Sequence, residues 1–128
     1  MDMKQRTKTA IHEAGHIIAI IRLGHVPGDV SIQPDYDLGM NGIAEFEAIS
    51  DYGAQLAREE VIISCAGYAA LKVKDYSEND CRSGAERDFE EAEELIAGFK
   101  LEALDFWLEE TVQILSSPEN IAAIDRIT

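Results

Sequence analysis

The chain has 128 residues, 46% of them hydrophobic and 28% charged, with a formal net charge of -14. That length suits one domain, residues 1 to 128, around one core, and so acidic a surface argues against nucleic acid or an anionic membrane as a partner. Acidity rises along the chain, with 7 basic and 10 acidic groups in residues 1 to 74 against 4 and 15 in residues 75 to 128. Cys65 and Cys81, the only cysteines, lack CxxC spacing and suggest no disulfide framework, so a reducing, cytoplasmic setting is expected. Ile17 to Ile21 is the longest apolar stretch, far short of the roughly 20 residues a membrane span needs. Glu13 falls where a signal peptide would need its apolar core.

Taken in order, Thr7 or Thr9 can cap a first helix that runs to about Leu23, where Gly24 and Pro27-Gly28 end it. Ile11, Ala14, Ile17, Ile18 and Ile21 share one side, and Ala19 and Leu23 follow the histidines on the other, which predicts a helix buried nearly all round. From Asp29 to Glu47 the pattern alternates around a turn-rich stretch, Pro34 to Gly42, and reads as two short strands. Asp51 is the expected cap of a second long helix reaching about Val73, followed by a polar loop from Lys74 to Arg82. Ser83 is the expected cap of a third helix to about Phe99. Leu101 to Leu115 and Pro118 to Ile127 read as a helix and a shorter one. The expected class is mainly α (α+β): a helical bundle with a small sheet of two or three strands.

Within the first helix lies His12-Glu13-Ala14-Gly15-His16, an HExxH segment. At 3.6 residues per turn the two imidazoles stand about 40° apart around the axis and the carboxylate about 100° from His12, so two nitrogens can share one ion. Zinc bound this way keeps a position open for water, and Glu13 is placed to take the proton. A catalytic zinc needs a third protein ligand. His25 reads as a loop residue just past the helix. On the wheel of the helix after Ser83, Phe89, Ala92, Leu95, Ile96 and Phe99 cluster on one face and Asp88 falls inside their arc, while Glu86, Glu90 and Glu94 point away. A carboxylate on an apolar stripe needs compensation. A metal ion would supply it, and so would an ion pair with Arg58 or Arg82 or an escape to solvent at the stripe's margin.

His12 to His16, then Ala66-Gly67-Tyr68-Ala69-Ala70, then Ser83-Gly84-Ala85-Glu86-Arg87-Asp88-Phe89-Glu90 with Ala92 and Glu94, resemble in order and spacing the peptidase domain of FtsH-type AAA+ zinc proteases, over about residues 5 to 115. The resemblance implies an FtsH-peptidase-like fold, zinc held by His12, His16 and Asp88, and Glu13 as catalytic base. It also implies a peptide-binding edge strand near Val30 to Gln33. The family has Asn where Arg87 stands, and Arg and Glu where Tyr68 and Leu71 stand, which bears on ring assembly more than on the metal site. No Gly-x-x-x-x-Gly-Lys-(Ser/Thr) phosphate loop is present, so the expectation is a stand-alone relative that cannot use ATP by itself.

The function expected is a zinc metalloendopeptidase acting on unfolded or flexible polypeptides, with Zn2+ as cofactor and a homo-oligomer or a separate ATPase as possible partners. Two other readings stay open: a non-catalytic zinc-binding adaptor that works with an ATPase, and a plain helical domain with a vestigial motif. Retention of Glu13 favours the enzyme. Gly67 is expected to let the second helix approach the HEAGH helix closely, while Tyr68, Trp107 and the acidic face at Glu86, Glu90 and Glu94 read as packing and solvation.

Overall fold

A computed structural model describes residues 2–25 and 50–128, and all of its regular structure is helical. The helices are α1 (Met3–Arg22), α2 (Ser50–Val73), α3 (Glu78–Arg82), α4 (Glu86–Phe99), α5 (Leu104–Leu115) and α6 (Pro118–Ile127). The mostly α class agrees with the sequence. Among the described residues there is no strand, and 29–47, where the small sheet is expected, lies outside them, as does the edge strand at 30–33.

The centre of the fold is α2, which touches every other helix. Its residues from Cys65 to Leu71 are buried without interruption, which a helix tolerates only when it is surrounded. Small residues, Ala66, Gly67, Ala69 and Ala70, make up most of that run, so its neighbours come in close. Ile11, Ala14, Ile18 and Ala19 of α1, Ala92 of α4, Trp107, Leu108 and Leu115 of α5, and Ile124 of α6 complete the core around it. Arg22 donates from Nε to Asn120 Oδ1 at 2.7 Å, and Asn120 donates from Nδ2 to Ile114 O at 2.8 Å. These bonds join the end of α1 to the first turn of α6 and that turn to the end of α5.

Several boundaries correct the sequence reading. Asp2 caps α1, accepting from Gln5 N at 2.8 Å, so the helix starts a turn ahead of Thr7, whose hydroxyl donates back to Met3 O instead. Asp51 lies already within α2. The expected polar loop contains α3, because Ser77 caps it by accepting from Asp80 N. Ser83 closes α3 rather than opening α4, which begins after Ala85 with no side-chain cap. The helix expected from Leu101 starts at Leu104. Nor is α1 buried all round, since Ile21 is 51% exposed and Glu13 faces solvent.

Candidate metal centre

Two helices meet at the HEAGH segment almost backbone to backbone. A Cβ built on Gly15 would run into Ala66 O and lie 2.7 Å from Ala70 Cβ, and one on Gly67 would lie 2.5 Å from His12 Nε2 and 2.6 Å from its Nδ1. A Cβ does not approach non-bonded atoms that closely, so only glycine at 67 leaves room for the His12 ring. The close approach expected of Gly67 is found, and its neighbour is one of the motif's histidines.

His16 is held differently. Its Nδ1 lies 2.7 Å from Ile63 O. A carbonyl can only accept, so Nδ1 carries the proton and the Nε2 lone pair faces the other way. A backbone carbonyl in this role is the arrangement that orients metal-bound histidines. The two rings meet edge to face, 4.8 Å between centroids at 73°, and both Nε2 atoms converge on one point.

Asp88, in the first turn of α4, supplies the third atom. Its Oδ2 is 3.0 Å from His12 Nε2 and 3.2 Å from His16 Nε2, and the two nitrogens are 3.1 Å apart. His12, His16 and Asp88, all half-buried, form the group of metal-ligating side chains close enough to share an ion among the described residues. The arginine pairings weighed for Asp88 are not formed, since Arg58 bonds to Gln55 and Arg82 to Glu78. His25 stands apart, paired with Glu59 at 2.8 Å.

The fit of a cation can be argued from these contacts. With Nδ1–H committed to Ile63, a neutral His16 turns a lone pair toward the Asp88 carboxylate, which is repulsive. His12 Nε2–H can donate to either neighbour but cannot relieve that contact. A proton or a metal ion between the three atoms can. In tetrahedral zinc with ligand bonds of roughly 2.0–2.2 Å, ligand atoms lie about 3.3–3.6 Å apart, so the three atoms, 3.0–3.2 Å from one another, need to part by only a few tenths of an ångström to take an ion.

Protonation shows the same tension. Burial disfavours the His16 imidazolium, yet the Asp88 carboxylate, the Ile63 carbonyl and the Glu13 charge outweigh it and raise the pKa above 6.5. Burial pushes the Asp88 carboxyl up, but bonds from His12 and His16 prevail and hold it at about 2. Glu13 is exposed, and its charge reaches His16.

Both cysteines are free and buried. Burial, with Asp88 close by, pushes the Cys65 thiol up to about 12, and burial raises Cys81 as well. Neither is a ready thiolate. The contact of His16 with Ile63 O is the part of the site that sequence reasoning missed, because a backbone carbonyl leaves no side-chain signature. No helix of the described residues is long and apolar enough to cross a membrane. No family model, curated protein or solved structure matches the chain.

Proposed function

We propose that this protein is a zinc-dependent metalloendopeptidase that hydrolyses peptide bonds of unfolded or flexible polypeptides. The observation that carries the reading is the convergence of His12 Nε2, His16 Nε2 and Asp88 Oδ2 within 3.2 Å, from two separate helices, beside an exposed glutamate. His12, His16 and Asp88 would hold the ion, giving the two-histidine, one-carboxylate set of catalytic zinc sites. An ion held there would supply Lewis acidity toward the scissile carbonyl and lower the pKa of a bound water. Glu13 takes the water proton and passes it to the leaving amine. Ile63 O keeps the His16 tautomer that leaves Nε2 available, and Gly67 keeps room for His12.

The order of the motifs supports kinship with FtsH-type peptidase domains as part of the same proposal. A second reading, a zinc-binding module that serves a separate ATPase and does not cut, is favoured by the family's Arg and Glu being replaced at Tyr68 and Leu71. Glu13 separates the two, because holding zinc for a structural purpose needs no base in that position. Zinc-loaded protein is expected to cleave a permanently unfolded, fluorescently labelled polypeptide, and Glu13→Gln to keep its zinc and lose at least about 100-fold in rate, as expected for a missing general base. Equal cleavage by both would remove Glu13 from the chemistry. Silence from both with zinc bound would favour the module.

A further inference from the structure

Two of the three candidate ligands are fixed by contacts of their own, and the third is not. His12 rests on Gly67 and His16 on Ile63 O, whereas Asp88 sits in the opening turn of a helix that has no side-chain cap. Ala92, fully buried one turn further on, seats α4 against the core, which leaves the opening turn itself to be placed by side chains around it.

A cluster one residue away from the site meets that turn. Phe89, next to Asp88, meets the ring of Tyr68, next to Gly67, edge to face with 5.9 Å between centroids. The Arg82 guanidinium lies 5.6 Å from the Tyr68 centroid and 5.5 Å from that of Phe89, within the range where a cation is attracted to an aromatic face. Arg82 is itself tied down, donating from Nε to Glu78 Oε2 at 2.6 Å. The same carboxylate accepts from the Tyr68 hydroxyl at 2.9 Å and from Lys72 Nζ at 2.8 Å. One glutamate on α3 therefore binds donors from α2 and α3, and the arginine it holds meets the aromatic side chain that anchors α4.

We propose, on the footing of a metal at His12, His16 and Asp88, that Glu78, Arg82, Tyr68 and Phe89 form a clamp that positions Asp88 as the third ligand. None of the four is among the candidate ligands, so they are positioning residues. Arg82 is the informative member: it is exposed, so replacing it leaves the core intact, and a lysine cannot reproduce its planar stacking.

The test measures zinc affinity by competition with a chromophoric chelator, and the visible spectrum of the cobalt-loaded protein, which reports ligand geometry. The proteins are wild type, Arg82→Ala, Arg82→Lys, Phe89→Ala and Phe89→Tyr, each checked for helicity by circular dichroism. None of the four bonds to a candidate ligand, so losing one should weaken affinity by about 3–10-fold, less than the roughly 10–100-fold that a direct outer partner costs. Arg82→Ala and Phe89→Ala should show that smaller loss with altered cobalt bands, Arg82→Lys should recover little, and Phe89→Tyr, which keeps the ring, should match wild type. Folded Arg82→Ala and Phe89→Ala proteins with wild-type affinity and spectrum would overturn the clamp while leaving the metal site standing. A wild-type protein that binds neither metal would overturn both.

Discussion

The contact between α1 and α2 and the corner where α2, α3 and α4 meet hold their parts of the site by opposite means. At the first, glycine against backbone and a carbonyl against a ring nitrogen leave no freedom for the two histidines. At the second, Lys72, Arg82 and the Tyr68 hydroxyl all bond to Glu78, and Arg82 lies over the rings of Tyr68 and Phe89. A pair of ligands one turn apart on one helix needs only close packing to be aimed. A ligand from a different helix needs that helix placed, and side chains do the placing. The first region should be brittle and the second graded.

The largest effect should come from the brittle side. Alanine improves helix propensity over glycine by about 1 kcal/mol, but forcing a methyl into packed atoms costs about 1–3 kcal/mol or more. At Gly15 the obstacle is the Ala66 backbone, which cannot swing aside. Gly15→Ala is therefore expected to lose about 1–2 kcal/mol net in denaturant unfolding, and Gly67→Ala to displace His12 and abolish tight zinc binding. Unchanged stability and zinc affinity in both would end the claim that packing aims the histidines.

Asp88→Asn comes next, and it acts on metal more than on fold. Zinc affinity should fall by more than about 100-fold, beyond what an outer partner costs, when measured by chelator competition. An unchanged value would remove Asp88 from the site.

Smaller, and useful for locating the charge, is the pH dependence of the metal-free protein. His16 has a raised folded pKa, so its contribution to stability is fully present below 6.5 and is lost as pH rises through the folded value. Asp88 has a lowered one, so its contribution is present above 3.8 and is lost as pH falls toward about 2. Metal-free stability should peak between these limits. Zinc binds deprotonated histidine, so the rise in Tm on adding zinc should grow as pH climbs past that peak. A zinc-induced shift independent of pH would place the metal elsewhere.

That His12, His16 and Asp88 come together was legible in the sequence because the cues are local. Two histidines at i and i+4 must share a helix face, and a carboxylate at Asp88 on an apolar stripe announces a missing partner. The long helices were legible from periodicity, though Asp2 capped α1 where Thr7 or Thr9 was expected, and α3 was hidden in a polar stretch too short to show a period. Ile63 could not be found by any side-chain rule. The role of Tyr68 was hidden for a related reason: its partners Glu78 and Phe89 are 10 and 21 positions along, and only the fold brings them to it.

The central claim is that His12, His16 and Asp88 together hold a zinc ion, and X-ray absorption at the zinc edge of the loaded protein tests it most directly. Two imidazoles and an oxygen ligand, with bonds of about 2.0–2.2 Å and no sulfur, changing shell in Asp88→Asn, is the result predicted. A sulfur scatterer at about 2.3 Å, or a protein that retains no zinc, would contradict it.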